Sequence, residues 1–486
     1  IFFISKMEVK VYSQQNLDFD IPLESPHRLK KEDEQNVEST GNVNGQAKPD
    51  EKTKTNCCTN FLGYFKTGTT LSGIFYIVLL TIGTGCWAVP VKIGYIGLVL
   101  SPFVIIISGI LCIFGLLLLD VAAFKKGIFN YGELTKASYN RALSIILNIT
   151  VIIHAFGLIV VYQIVIYKVI GGVINLVGNY GYAGSEDFYN NEFWSEYKFR
   201  FPINFGIALC IFPLCLAKLE KMTFPTVFSN IAYFVLVLIL IVECGWFVRY
   251  YFDVEQPKTN HKLNVTDVSK AVDSNMELIK FIAVCFFAYA VHYSALPIVN
   301  TLNEKTERNV GIVYIGAQSI CIFLTLLIGI LGYLTQPINT PDLGFERRKI
   351  WDTDYIMMIG RIFYAISLLF KIPVNFNTIR VTFLNTINRD DLIEDVPCKV
   401  NLPIAIVTLL ISTTIVAAYQ KVSDYLSLIG SFCAVANGFV IPTMIYVKVN
   451  DYKITHWKNI LSILLSALLT IFGAFGIYYT IIGLEE

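Results

Sequence analysis

Eleven segments of the chain are each long and apolar enough to cross a bilayer as a helix, which takes about twenty residues. Their approximate limits are 71–97, 101–124, 143–174, 203–219, 224–250, 278–302, 311–334, 353–385, 402–420, 425–447 and 459–483. Runs this long lack the short alternating strands of a membrane barrel. The expected fold class is therefore an all-α membrane protein of 11 transmembrane helices, with the lipid bilayer as its first partner. Composition agrees: only 15% of the 486 residues are charged, against about a quarter in soluble chains. The first 66 residues hold 19 of the 75 charges, so the remainder is too apolar to stay in water around one core. That excludes an ordinary cytosolic enzyme. A formal net charge of +1 gives no basic field for nucleic acid. No period of 20–50 residues repeats, so a solenoid is excluded.

Residues 1–66 are polar, of mixed charge and aperiodic, and are expected to form a disordered cytoplasmic tail. The six residues before Met7 are too short for a signal peptide, which leaves Met7 as a candidate start. Cys57 and Cys58 precede span 1, where acylation competes with two plain thiols. With the tail inside, Lys125, Lys126, Lys136, Arg141, Lys218, Lys221, Lys305 and Arg308 fall in inner loops. The excess of basic residues inside sets orientation. Asn264-Val-Thr is a glycosylation acceptor on an expected extracellular or luminal loop, 252–277. The C-terminus then lies outside. No cysteine falls in an outer loop and no Cys/His cluster has metal-ligand spacing, so neither disulfide, metal nor cofactor is expected.

Two spans carry helix breakers at mid-membrane depth. Span 1 contains TIGTGCWAVP at 81–90, with Gly83, Gly85 and Pro90 in eight residues. Glycine loosens a helix and proline removes a donor and clashes with the preceding turn. An unwound stretch is expected there, or a kink at a small-residue contact. Span 6 contains FFAYAVHYSALPIV at 286–299, with His292 in its middle and Pro297 near its end. An ionisable residue inside the membrane is costly and points to function; hydrogen bonding between helices is the alternative. The two spans are five apart, where a transporter of two inverted five-helix halves places its interrupted helices. The expected organisation is 67–251 as the first half, 278–448 as the second, and 449–486 as an eleventh helix.

These residues carry a resemblance. Gly83-Thr84-Gly85-Cys86-Trp87-Ala88-Val89 resembles the G-S-G-I-L-G-L core of the amino acid/auxin permease family, within the amino acid–polyamine–organocation group. FAYAVHYSALPIVNTL resembles its F-x-C-H-x-x-x-L-P-I-Y-x-E-L signature, with His292, Leu296, Pro297 and Ile298 in register. KIPVNFNTIR at 371–380 resembles V-P-x-x-x-x-P-x-R, and 426–448 resembles the family's L-x-L-x-G-S…F-I-x-P…Y-x-K run. The likeness covers roughly 68–485 and is nearest to the sodium-coupled neutral amino acid transporters and their vacuolar or lysosomal relatives. It implies a secondary transporter of amino acids, neutral ones foremost, working by alternating access. It implies that the substrate carboxylate meets amides around Thr84, Gly85 and Cys86, and that Phe287, Tyr289 and Tyr293 line the side-chain pocket. Those aromatics equally suit ordinary packing.

The likeness also implies where a sodium ion would bind, and there the chain departs from the pattern. Leu79 stands where the family has an Asn ligand, and Lys371 where it has a Thr. Sodium wants oxygen ligands, which neither side chain offers. Lys371 is therefore expected to replace sodium with its own charge, and Lys371 with His292 to carry proton coupling. Snorkelling towards an interface is the alternative for Lys371. Lys92, Lys168, Glu243 and Arg249 fall in the outer parts of their spans, where snorkelling or vestibule water would accommodate them. His154 faces mid-span and suits either a proton relay or an interhelical bond. A sensor signalling through the tail and a sodium symporter are the rival functions. A plasma or vacuolar/lysosomal membrane fits equally. A protease would need two neighbouring intramembrane aspartates, and Asp120 stands alone.

Overall fold

A computed structural model describes residues 68–179, 197–216, 231–245, 275–335, 337, 340–345, 355–389, 396–450 and 456–485. The expected tail, Cys57, Cys58, Arg249 and the acceptor Asn264 lie outside the described residues. Every regular element among those described is helical. Span 1 is broken into α1 (Thr70–Thr81), α2 (Thr84–Trp87) and α3 (Val89–Ile96). There follow α4 (Ser101–Lys126), the short α5 (Tyr131–Ser138), α6 (Arg141–Asn179), α7 (Tyr197–Leu216) and α8 (Ile231–Gly245). Span 6 comprises α9 (Asn275–Tyr289) and α10 (His292–Asn300). Then come α11 (Glu307–Thr335), α12 (Tyr355–Thr386) and α13 (Cys398–Ala418). Span 10 runs as α14 (Val422–Ile429), two wider π turns at Gly430–Ala434 and Ala436–Val440, and α15 (Ile441–Val449). The chain closes on α16 (Trp457–Glu485).

Eight of these spans are long and apolar enough to cross a membrane, nine with the pair that bends by 54° between Thr81 and Thr84. Two shorter apolar helices, Arg200–Leu216 and Ile231–Gly245, accompany them. Phe103, Ile107, Leu209, Leu238, Phe323 and Leu464 point outward and are at least 56% exposed, which only a lipid solvent tolerates in such number. The chain is a multi-pass membrane protein.

Local chemistry sets the helix ends. The Thr69 hydroxyl caps α1 by accepting from the Ser72 amide at 3.2 Å, and the Asn130 side chain caps α5 through the Glu133 amide at 3.1 Å. Gly127, at φ 66°, ends α4 in the left-handed conformation that carries no Cβ penalty in glycine. Small residues then bring backbones together. A Cβ on Gly115 would lie 2.1 Å from the Gly438 carbonyl, and one on Gly430 would lie 2.0 Å from that of Ala283. Span 10 thus presses against α4 and α9 where its turns widen. The widened turns leave carbonyls to other donors: Asn437 O accepts from the Tyr131 hydroxyl at 2.8 Å.

Span 1 is interrupted twice, by a sharp bend at Ile82–Gly83 and again at Ala88; Pro90 follows in the first turn of α3, where its missing N–H costs nothing. Pro373 does not interrupt α12, which runs on to Thr386.

Candidate functional site

The two breaks meet. A Cβ on Gly85 would come within 3.0 Å of Ala288 Cα and 3.3 Å of Phe287 Cδ1. Only a glycine lets the backbone after the first break approach the end of α9 so closely. Thr84 and Cys86, on either side, are fully or almost fully buried. The Cys86 thiol sits 3.3 Å from the Thr325 hydroxyl of α11, while Thr84 Oγ1 has no hydrogen-bond partner among the described residues. At the second break, Ala290–Val291, the freed carbonyl of Tyr289 accepts from Gln318 Nε2 at 3.2 Å. Unpaired backbone carbonyls are expensive inside a bilayer, and α11 supplies this donor.

Lys371 reaches the first break. Its Nζ donates to Ile82 O at 3.3 Å and lies 5.8 Å from the centre of the Tyr233 ring. The ammonium therefore faces a carbonyl freed by the break and an aromatic face, both attractive to a cation. Leu79 is half-buried in the last turn of α1, a turn below that carbonyl. His292 opens α10, fully buried, with Nε2 3.3 Å from Cys112 O and Nδ1 without a partner among the described residues. It thus lies against α4, apart from the break where Lys371 sits. His154 of α6 stacks on Phe287 with ring centres 5.1 Å apart and meets Tyr293 edge-on at 5.3 Å. Tyr289 is fully buried. Of the expected site residues, Gly83, Thr84, Gly85, Cys86 and Phe287 gather at the meeting of the breaks, with Lys371 beside them. Asn264 is outside the described residues. No cluster of three or more His, Cys, Asp or Glu able to hold a metal occurs among the described residues.

The two ends of the bundle differ. A cavity of about 400 Å³ rises from the end where α11 begins. Leu80, Asn148, Tyr293, Ser294, Asn377 and Asn385 line it, and no charged side chain does. The other end is closed by residues 340–345. The Gly344 amide donates to Trp87 O at 2.8 Å, and the Phe345 ring packs edge-on against Trp87 at 5.3 Å and Tyr364 at 5.4 Å. Asp342 accepts from the amides of Val422 at 2.7 Å and Ser423 at 3.1 Å, and pairs with Lys168 at 3.2 Å. One carboxylate thereby caps α14 and joins it to α6. Burial alone would push the Asp342 carboxyl up. Lys168, the Ser423 side chain and the two amides outweigh it and hold the group below its ordinary range.

Sequence reasoning missed Asp342, and a lone Asp between Pro341 and Gly344 gives no signal of what it will cap. It also expected snorkelling or vestibule water to accommodate Lys92 and Lys168; Lys168 is partly exposed and pairs with Asp342, whereas Lys92 is buried. Lys92 is 2% exposed and bonds Glu277 at 2.9 Å, which Lys280 also approaches at 3.2 Å. Buried lysine is stable when paired, and both partners here lie far away in sequence.

A bundle of apolar helices, two of them broken against each other beside an uncharged cavity, is a frame that membrane transporters use. The family model "Transmembrane amino acid transporter protein" matches residues 66–485, and the chain belongs to that family. The chain is 23% identical over 427 residues to "Amino acid transporter AVT6E" of Arabidopsis thaliana, covering 84% of this chain and 83% of the relative. It is 21% identical to "Vacuolar amino acid transporter 7" of Saccharomyces cerevisiae, over 66% of this chain and 60% of that one. It is 20% identical to "Putative sodium-coupled neutral amino acid transporter 11" of Mus musculus, over 80% of each.

Proposed function

We propose that this amino acid transporter is a sodium-independent, proton-coupled carrier of neutral amino acids, in which Lys371 stands in for a bound cation. The observation that carries this is the Lys371 ammonium 3.3 Å from Ile82 O, at the break of span 1. A cation held there covalently supplies the positive charge that a sodium ion would bring to a freed carbonyl. It also repels a second cation: two unit charges 4 Å apart interact by about 4 kcal/mol even at an effective dielectric of 20. The mouse relative's printed name speaks for sodium; Lys371 and Leu79, which offer no oxygen ligand, speak against carrying it over.

The amino acid binds where the two breaks meet. Its carboxylate takes amides around Gly83, Thr84, Gly85 and Cys86, as broken helices offer at their half-helix N-termini. Its side chain lies against Phe287, Tyr289 and Tyr293. An uncharged cavity lining supports neutral substrates, since a charged side chain would cross it unpaired. Lys371 and His292 exchange the coupled proton. The fold on this proposal is eleven helices in two inverted halves, 67–251 and 278–448, followed by 449–486. The N-terminus is cytoplasmic, the C-terminus and glycosylated Asn264 extracellular or luminal, and the cavity faces the cytoplasm.

Uptake of radiolabelled amino acids into proteoliposomes tests this. Transport is expected to persist when choline replaces sodium and to rise with an inward proton gradient. Lys371→Met is expected to abolish that pH response. Strict sodium dependence with no effect of pH would sink the proposal.

A further inference from the structure

We infer that His154 sets the size of the amino acid side chain this transporter accepts, restricting it to small, uncharged residues such as alanine and serine. The inference rests on Phe287 and Tyr293 being walls of the substrate's side-chain slot. These two rings stand in the last turn of α9 and the first turn of α10, either side of the break at Ala290–Val291. The His154 imidazole stacks on Phe287 with an interplanar angle of 22° and centres 5.1 Å apart, and touches Tyr293 edge-on at 5.3 Å. A third ring, from a third helix, thus stands against both of them.

The ring has little room. His154 is 2% exposed, and α6 cannot shift closer to span 10 to make space, because a Cβ on Gly157 would already lie 2.1 Å from Ile429. Protein interiors give little when one more side chain is added, so a substrate side chain competes with the imidazole for this volume. Val151 and Tyr293 line the cavity, which therefore ends just beneath the stacked rings. The imidazole differs from a purely apolar filler in one respect. Its Nδ1 is buried with no hydrogen-bond partner among the described residues, at a cost that a serine hydroxyl in the slot would relieve.

The experiment measures uptake of alanine, serine, leucine and phenylalanine in proteoliposomes for wild type, His154→Ala and His154→Phe. Wild type should favour alanine and serine over phenylalanine. A difference of even one methylene in an apolar pocket changes kcat/KM about 10-fold or more, so His154→Ala should raise the phenylalanine-to-alanine ratio at least about 10-fold. His154→Phe keeps a flat ring of somewhat larger volume and should hold that ratio at or below wild type while losing the preference for serine over alanine. An unchanged ratio in His154→Ala overturns the inference. So does an equal fall in kcat for all four substrates, which marks the ring as a gate or as packing. Should His154→Ala fail to fold, wild type moving phenylalanine as well as alanine overturns it alone. A wild type that moves amino acids without regard to size defeats this inference only. A wild type that moves none of them, while remaining folded, defeats the substrate-site proposal with it.

Discussion

At one end of the bundle six residues, 340–345, tie α2, α6, α12 and α14 together; at the other, a cavity of about 400 Å³ reaches inward to Tyr293. The sealed end uses every strong device available. A buried ring packs between Trp87 and Tyr364, one carboxylate satisfies two helix-end amides and an ammonium, and a backbone bond joins Gly344 to Trp87. The cavity end has an uncharged lining in which the Asn148 side chain donates to the Thr386 hydroxyl at 3.1 Å. On the proposal of alternating access this is one of two states, and the other requires breaking the sealed end and closing the open one.

The comparison breaks most visibly at Phe345. Its ring is fully buried, and Phe345→Ala should remove about 3–5 kcal/mol from the sealed arrangement. In a Leu343→Cys background, labelling by a membrane-impermeant maleimide should then rise more than about a hundredfold, each tenfold being about 1.4 kcal/mol. Unchanged labelling would mean that the ring does not hold the end shut. Asp342→Asn comes next. It keeps an acceptor for the α14 amides but discharges the pair with Lys168, losing about 1.5–3 kcal/mol, and the same labelling should rise some tenfold to hundredfold.

A pH series sharpens the contrast without any substitution at the seal. The Asp342 carboxyl is held below its ordinary value of about 3.9. A depressed carboxylate contributes fully above that ordinary value and loses its contribution as pH falls through the lower folded one. Labelling at Leu343→Cys, divided at each pH by that of a freely exposed thiol because the thiolate is the reacting form, should therefore stay flat from about pH 5 to 8. A pH response of transport in that window must then arise elsewhere, and a rise in labelling on mild acidification would refute this placing of Asp342. Smallest of all, Asn148→Leu removes one hydrogen bond at the open end, worth about 1 kcal/mol. Its effect on labelling at the sealed end should be less than about fivefold, given that worth.

Much of this architecture was legible beforehand. Most of the expected segments coincide with described helices, eight of them long and apolar enough to cross a membrane and nine with the bent pair, because hydropathy is a local sum that a bilayer reads directly. Gly83 lies in the bend itself, Gly85 in the short α2, and Pro90 just after a second interruption at Ala88, in the first turn of α3, which needs no amide there. The candidate site was legible in part. Glycines at 83 and 85 and a lysine at 371 are visible in one dimension. That Gly85 must be a glycine because Ala288 lies against it is not.

What the amino-acid order determined alone was the class: how many stretches seek lipid, where helices falter, and which few charges remain among apolar residues. These follow from transfer free energies and backbone sterics, which act over a turn or two. Only the tertiary structure decided the partners. Lys371 meets a carbonyl 289 positions away, Lys92 a carboxylate 185 away, and Asp342 an amide 80 away. Such contacts belong to no local pattern. They arise because a charge inside the bundle must find its complement wherever packing brings one within about 3 Å, and packing is a property of the whole fold.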